Sequence, residues 1–278
     1  MAEEKTLNRK KLSLLIILCG TVLVFLVYLI AGILPPVAVD YSGSEIACAE
    51  EDEDTSPEGA KGILLSDEGI TAETSGVTVS GSNVRITAPG GYRVTGSLTN
   101  GCIYIAEESG RPVHLNLAGA ESTDSESPPV YAEAAEKGVI TLGGGTENSI
   151  TATSESGLES AIYSECDLTF NGSGSLTVHS ENGIAVNCKT NVRFVSGTIS
   201  ISAKENAVKA KYGVLIRDGN LTLTSGSDGI RTTGTGQTRG KWVGSIAIEG
   251  GVITVNSDGD GISSGSVIAV SGGEVRIT

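Results

Sequence analysis

The stretch LTLTSGSDGI (residues 221–230) returns as ITVNSDGDGI (residues 253–262), and this recurrence decides the fold. In both copies apolar and polar residues alternate, a polar turn follows, and the chain resumes with Asp-Gly-Ile. A period of two residues is typical of a β-strand with one buried face. Two matching copies therefore indicate an internal repeat, which has to be traced along the whole chain.

The repeat starts each time on an aliphatic residue. It returns every 22–24 residues, with an insertion of about ten residues in two repeats. The aligned residues are Val130, Ile162, Ile184, Val208, Ile230 and Ile262. Each repeat holds three short strands separated by Gly or Asn, which tolerate the positive φ of tight turns. This pattern predicts a parallel β-helix with rungs ~4.8 Å apart and aliphatic side chains stacked inside. A β-sandwich and a β-propeller are the alternatives, but a propeller blade requires four strands and a longer period.

Composition limits the classes of partner. The 278 residues carry a net charge of −14, include 38 glycines and are 4% aromatic. Nucleic-acid binding requires a basic surface, so no nucleic-acid partner is expected. Apolar residues make up 39% of the chain, which argues against general disorder.

The N-terminus differs from the rest of the chain. Residues 12–34 are 23 residues without a charge, and a helix of roughly 20 apolar residues spans a bilayer. Basic residues precede this stretch and acidic residues follow it, so residues 1–11 are predicted to be cytoplasmic. Cleavage as a signal peptide and lipidation at Cys19 are the alternatives, and the residues that either would need are not evident. The prediction is a single-pass protein of the cell membrane with an extracellular C-terminal domain.

Two regions follow the predicted anchor. Residues 35–62 are acidic and poor in large apolar side chains, which predicts a disordered linker. Residues 63–278 contain the repeats and are predicted to form the β-helix domain. Cys166 and Cys188 are expected to point inward on adjacent rungs as free thiols, with a disulfide as the alternative.

Several stretches carry a family resemblance: ITAPGGYRVTGSLTNGCIYI (residues 86–105), VITLGGGTENSIT (residues 139–151) and AIYSECDLTFNGSGSLTV (residues 161–178). They resemble the bacterial carbohydrate-binding β-helix family, whose members are exported, right-handed parallel β-helices shaped like polysaccharide lyases. The resemblance implies binding of plant cell-wall polysaccharide, either cellulose or pectic acid, and calcium ions (Ca²⁺) held by acidic turns. It does not imply a catalytic activity.

The polar turns are the candidate metal site. The residue two before each repeat start forms a column of Ser160, Asn182, Asn206, Asp228 and Asp260. Two carboxylates one rung apart repel each other unless a cation or an insertion separates them. Calcium takes six to eight oxygen ligands, and the candidates are Asp228, Asp258, Asp260, Asn182 and Asn206. The alternative is an ordinary solvated turn, because Asp-Gly is common in turns.

The residue after each repeat start is predicted to point outward. These residues are Tyr131, Tyr163, Ala185, Lys209, Arg231 and Ser263, and Lys211 lies two beyond Lys209. An aromatic ring packs against the apolar face of a sugar, and a cation pairs with a uronate carboxylate. The predicted glycan-binding residues are Tyr131, Tyr163, Lys209, Lys211, Arg231 and Trp242, the last being the single tryptophan, in an insertion. The alternative is that these are ordinary exposed side chains, with Trp242 covering a rung edge.

Three functions follow from these patterns. The first is a membrane-anchored, non-catalytic extracellular protein that binds cellulose or polygalacturonic acid. The second is a calcium-dependent lyase resembling pectate lyase, with Arg231 as the base. The third is a structural adhesin or spacer. The chain stops on Val275 and Ile277 in the middle of the pattern, so either a missing C-terminal cap or end-to-end self-association is expected.

Overall fold

The computed structural model describes residues 46–55, 59–72, 74–153, 160–238 and 241–278. The predicted cytoplasmic segment and transmembrane helix, residues 1–34, lie outside the described residues. No helix in the described part of the chain is both long and apolar enough to cross a membrane. Two compact units divide the chain at Asp40, and everything described below belongs to the second, Tyr41–Thr278.

The described residues are almost entirely β-structure, arranged as three ladders of short parallel strands. The first ladder is a nine-stranded sheet in the order β2-β3-β5-β7-β10-β13-β16-β19-β24. Its strands are β2 (Val77–Ser80), β3 (Asn83–Ile86), β5 (Ile103–Ala106), β7 (Val130–Ala134), β10 (Ser160–Ser164), β13 (Ile184–Cys188), β16 (Val208–Ala210), β19 (Ile230–Thr232) and β24 (Ile262–Ser263). Apart from the antiparallel pair β2–β3, neighbouring strands in this ladder are parallel.

The second and third ladders form one 15-stranded sheet. The second contains β8 (Lys137–Leu142), β11 (Asp167–Gly172), β14 (Asn191–Phe194), β17 (Gly213–Ile216), β22 (Ser245–Ile248) and β25 (Ile268–Val270). The third contains β9 (Glu147–Ala152), β12 (Ser175–Ser180), β15 (Thr198–Ala203), β18 (Asn220–Ser225), β23 (Val252–Ser257) and β26 (Glu274–Ile277). Three strands of the first rungs, β1 (Lys61–Leu65), β4 (Gly90–Thr99) and β6 (Val113–Asp124), complete this sheet.

The long strand β6 joins the two ladders. Its first half pairs with β8 and its second half with β9. The insertion near residue 240 forms a small hairpin of β20 (Gln237–Thr238) and β21 (Lys241–Trp242). The predicted all-β, parallel β-helix-like architecture is therefore confirmed, with three ladder strands in each turn from β7 onward.

The core consists of columns of aliphatic residues that face inward at equivalent positions. Leu168, Val192, Val214 and Ile246 are successive strand partners, and each is at most 2% exposed. In the neighbouring column the Phe170 and Phe194 rings stack with centroids 5.1 Å apart. Full burial of one such side chain contributes about 1.5–3 kcal/mol to the stability of the fold. Each rung adds further side chains to the same core and therefore adds to this stability.

One repeat start was predicted two residues too early. The strand partners in the first ladder are Val130, Ile162, Val186, Val208, Ile230 and Ile262. Val186, not Ile184, therefore begins its repeat, and the second and third repeats span 24 and 22 residues rather than 22 and 24. Both residues are buried, because Ile184 occupies the inward position two before the start, where Ser160 stands one rung earlier. The period of two alone could not distinguish the two registers.

The corrected register places Cys166 and Cys188 at different positions within their rungs. Cys188 pairs with Ser164 and Ala210, so Cys166 is not its partner one rung away. Both cysteines are free and buried. The Cys188 thiol donates instead to the carbonyl oxygen of Cys166, at 3.3 Å. The prediction that the two thiols stack at equivalent positions is therefore wrong.

Part of the segment predicted to be a disordered linker is packed on the β-helix. Residues 46–55, here called the strap, contain helix α1 (Glu50–Glu53) and lie against the outer face of the second ladder. The Asp52 side chain is fully buried and forms an ion pair with Lys137 at 2.7 Å. For residues 46–55 the prediction of disorder is wrong, because cations from distant rungs pair with Asp52.

The last rung leaves apolar side chains in contact with solvent. Ile268, Val270 and Ile277 are 46%, 58% and 51% exposed. End-to-end association through this surface stays a prediction.

Replacing Gly172 by alanine should destabilise the domain strongly. Gly172 has φ +102°, and a Cβ there would stand 2.3 Å from the Leu142 carbonyl oxygen of the preceding rung. The matched control is Gly145→Ala, since Gly145 has φ +70° but no atom within 4 Å of the added Cβ. Positive φ alone costs about 1–2 kcal/mol, and overpacking adds about 1–3 kcal/mol at Gly172 only. Urea unfolding measures the difference, and equal midpoints for the two variants would contradict it.

Docking of the strap should survive mild acid. Burial alone would raise the pKa of Asp52, but hydrogen bonds from Lys137 and Thr169 outweigh it and hold the pKa below its ordinary value of 3.8. Because docking lowers the pKa of the Asp52 carboxyl group, the ionised form of Asp52 stabilises the docked strap. This contribution is complete above the ordinary pKa of 3.8, and it is lost only as the pH falls through the lower pKa of the docked state. Amide exchange of the strap, corrected for the intrinsic rate, should therefore be equally protected at pH 6 and pH 5. Loss of protection between these values would overturn this expectation, and Glu51→Gln, which removes an exposed carboxylate of the strap, is the control.

Candidate functional site

The first ladder brings four of the predicted glycan-binding residues into one outward row. Tyr131, Tyr163, Lys209 and Arg231 occupy equivalent positions on β7, β10, β16 and β19. Asn187 fills the place between Tyr163 and Lys209 for which Ala185 was predicted. Ala185 is fully buried, so the prediction that it points outward is wrong. Ala161 and Ala207, which also stand directly before a repeat start, are buried in the same way.

The other two predicted ligands lie apart from this row. Lys211 follows the end of β16, and its ammonium group lies 5.1 Å from the centre of the Tyr212 ring. Trp242 is in strand β21, and its side chain lies outside the described residues.

The row extends further than the sequence suggested. Tyr104 on β5 is the strand partner of Tyr131, and Arg85 on β3 is the partner of Tyr104. These two residues were missed because the first repeats differ in length from the later ones. The stretches VRIT and CIYI nevertheless alternate in the same way, and aligning them by that alternation would have found both residues.

Three tyrosine rings contact one another in succession along the row. The ring centres of Tyr104 and Tyr131 are 4.9 Å apart, and those of Tyr131 and Tyr163 are 5.2 Å apart, both edge to face. The Arg85 guanidinium lies 4.5 Å from the Tyr104 ring centre and Lys189 lies 5.2 Å from that of Tyr163. Edge-to-face packing holds the rings in fixed orientations, so the row presents an ordered aromatic surface.

Exposure differs along the aromatic part. Tyr104 and Tyr131 are half-buried, whereas Tyr163 is 8% exposed and donates a hydrogen bond to Glu165 at 2.7 Å. Burial and this hydrogen bond raise the pKa of the Tyr163 phenol, so it stays neutral. Tyr104 and Tyr131 are therefore the rings that can contact a ligand most directly.

A cavity of about 450 Å³ opens beside these two rings. Its lining includes Thr78, Asn83, Arg85, Tyr104, Pro128 and Tyr131. Small-molecule sites fall in the range of about 300–1,000 Å³ and combine apolar walls with a few polar groups. The cavity can therefore hold a sugar-sized group next to the tyrosines.

The polar corner column is held together by hydrogen bonds between rungs. The Asn206 side-chain oxygen accepts from the Asp228 amide at 3.2 Å, and Asp228 Oδ1 accepts from the Asp260 amide at 2.9 Å. Asp228 Oδ2 accepts from Arg231 at 2.9 Å. Asn182 lies outside this column, because Ile184 takes the equivalent position after the register correction. Asp258 and Asp260 are exposed.

These contacts bear on the predicted calcium site. Both oxygens of the Asp228 carboxylate already accept hydrogen bonds from protein donors. In the described ranges, no group of three or more His, Cys, Asp or Glu side chains could hold a metal ion. Calcium also takes oxygens of asparagine and of the backbone, so calcium binding stays a prediction.

The residue considered as a base for elimination is tied to this corner. The Arg231 guanidinium is paired with Asp228, and arginine is not deprotonated in proteins. His179 lies on the third ladder, where its Nδ1 contacts Ser202 Oγ at 2.7 Å. The arrangement in the row supports stacking and ion pairing with a ligand rather than proton transfer.

The chain is similar to proteins of known family and fold. A relative from Acetivibrio thermocellus, described as a carbohydrate-binding domain-containing protein, is 28% identical over 183 residues. That match covers 63% of this chain and 64% of the relative, so the chain spans somewhat less than two thirds of the relative's length. The solved structure of a polysaccharide lyase-like protein from C. thermocellum, a gadolinium derivative, superposes with a TM-score of 0.69 at 28% identity. It covers 78% of this chain and 94% of its own.

The family assignment includes the whole row. The family model described as carbohydrate-binding domain-containing protein matches residues 80–278, which contain every residue from Arg85 to Arg231. Since this match spans well over half of the sequence, the chain belongs to the family of carbohydrate-binding domain-containing proteins.

Proposed function

We propose that the protein binds an acidic plant cell-wall polysaccharide, such as polygalacturonic acid, along the outward row of the first ladder, and does not cleave it. The observation that carries this proposal is the contiguous row of three tyrosines followed by Asn187, Lys209 and Arg231. Successive rungs repeat at ~4.8 Å, so the row is a linear surface suited to a linear polymer.

The row has two chemically different ends. Around the tyrosines the acidic side chains Glu133 and Glu165 accompany the rings, and Glu133 pairs with Arg85 at 3.8 Å. Toward the C-terminus the row carries Lys209 and Arg231, and the exposed Lys211 lies nearby. Sugar rings would stack on the tyrosines, while uronate carboxylates would pair with the cations.

A lyase activity is the alternative function, favoured by the name of the polysaccharide lyase-like structural relative. Elimination requires a base beside the sugar, and the one suggested by sequence, Arg231, is engaged in an ion pair with Asp228. Incubation with polygalacturonate should therefore release no unsaturated uronate. Ultraviolet absorbance of the product would detect it.

The proposal includes attachment to the cell surface by residues 12–34, with the β-helix outside. It is supported by the uncharged span and by the basic residues before it. The β-helix would then be held at the cell surface, where wall polysaccharide can reach it.

Substitutions in the row should distinguish the binding role of its aromatic end from that of its cationic end. Tyr131→Ala should weaken binding of both cellulose and polygalacturonate about tenfold, equivalent to ~1.4 kcal/mol, because stacking does not depend on ligand charge. Lys209→Gln should weaken polygalacturonate alone, by no more than about fivefold, since an exposed ion pair contributes ~0.2–1 kcal/mol. The control is Lys204→Gln, an exposed lysine directly after β15 in the third ladder. Affinity electrophoresis measures the changes, and equal effects of Lys204→Gln and Lys209→Gln would remove the row as the cationic site.

Anchoring makes a separate prediction. Protease added to intact cells should release the β-helix and leave a small fragment in the membrane fraction, because the apolar span is retained. Isolation of mature protein that begins after residue 35 would contradict an uncleaved anchor.

A further inference from the structure

The outer face of the second ladder is polar and charged although the strap buries it. Thr169 and Arg193 are strand partners, and Lys137 and Asn171 lie two residues to either side of that column. All four side chains are buried. Buried cations are costly unless they are paired. Arg193 already pairs with Asp167 of the same face at 2.7 Å, so it is mainly Lys137 that requires a further anionic partner.

The strap supplies that partner as a carboxylate. Asp52 Oδ1 accepts hydrogen bonds from Lys137 Nζ at 2.7 Å and from Thr169 Oγ1 at 2.6 Å. Asp52 Oδ2 lies 3.7 Å from Arg193 Nε. Asn171 donates to the backbone oxygens of Asp52 and Asp54, both at 2.9 Å. One carboxylate is thus held by two cations and a hydroxyl group.

The strap leaves other polar atoms of this face without a partner. Within the described residues, Thr141 Oγ1, Asn171 Oδ1, Asn191 Oδ1 and His114 Nδ1 are buried and accept or donate no hydrogen bond. Thr141 and Asn171 are strand partners. Unsatisfied buried polar atoms are rare in proteins because each costs about 1–3 kcal/mol. A ligand rich in hydroxyl groups would satisfy atoms that the strap does not reach.

We propose that this face is a second binding site, for a carboxylate-bearing sugar of an acidic polysaccharide, and that Asp52 occupies the carboxylate position until the ligand displaces the strap. The inference rests on the proposed function for the class of ligand. It differs from it in the surface, since the first-ladder row lies on another side of the β-helix.

The strap is built so that it can be displaced. Its helix has four residues, far fewer than the ~12–15 that an isolated helix needs for stability. Besides Asp52, it is held by Ile46, which packs on Leu215 and Ala247, and by an exposed ion pair between Glu53 and Arg217 at 3.0 Å. Cys48 is half-buried in the same contact, so its thiol reports whether the strap is docked.

The test uses the full chain and compares wild type with three single variants of the strap. Asp52→Asn removes the carboxylate, and Ile46→Ser removes the apolar contact without changing charge or any residue of the face. Glu51→Gln, at an exposed position, is the matched control for loss of one negative charge. Alkylation of Cys48 by iodoacetamide, followed by peptide mass spectrometry, measures strap release. Affinity for polygalacturonate and for its methyl ester measures ligand binding.

Asp52→Asn and Ile46→Ser should accelerate alkylation of Cys48 about tenfold and tighten polygalacturonate binding by a similar factor, since the strap no longer occupies the site. Glu51→Gln should change neither. Added polygalacturonate should accelerate alkylation of the wild type, because binding and strap release are linked, and the uncharged methyl ester should not. Unchanged affinity in the two variants, despite faster alkylation, would overturn the second site. Unchanged alkylation in both would overturn the strap as its occupant.

Adding Tyr131→Ala to wild type and to Asp52→Asn separates the two proposals. If the row is the wrong surface, Tyr131→Ala has no effect in either background. If the second site is wrong, Asp52→Asn has no effect in either background. The expected result is that Asp52→Asn increases affinity whether or not Tyr131 is present.

Discussion

The rest of the structure depends on one constraint, which is parallel hydrogen bonding between equivalent strands of successive rungs. Each rung offers its backbone groups to the next at ~4.8 Å, so a residue stands directly above its counterpart one turn earlier. Aliphatic columns then close the core from Leu168 to Ile246. The same constraint aligns every outward position, which turns a repeated sequence pattern into a linear surface.

Chemistry on the surface follows from that alignment. Three tyrosines contact each other only because Tyr104, Tyr131 and Tyr163 share one strand position. In the corner column, each side-chain oxygen accepts the amide of the residue one rung later, from Asn206 to Asp228 and on to Asp260. Stacking also explains why Asp228 and Asp260 can lie on neighbouring rungs. An amide and the Arg231 guanidinium, rather than a second carboxylate, satisfy the oxygens of Asp228.

The regular stacking of rungs also forms the surface on which the strap packs. Outward positions of the second ladder include Thr169, Arg193 and the small residue Gly213, where an added Cβ would stand 2.3 Å from Ile46. Asp52 accepts a hydrogen bond from Thr169, which lies 117 residues later in the sequence, and forms an ion pair with Lys137. A local reading of the acidic stretch could not identify these partners, because they come from three different rungs.

Sequence by itself determined the parallel repeat, the three strands per turn and most of the outward row, because a period of two within a period of about 22 residues specifies which side chains stack. It did not determine the register at Val186, since Ile184 satisfies the same alternation and only pairing with the neighbouring strands selects between them. Tyr104 and Arg85 belong to the row because their strands pair with strands from other rungs. Asp52 contacts Lys137 and Arg193, which are also far from it in the chain. Such contacts are decided by how the rungs stack in three dimensions, which no local pattern records.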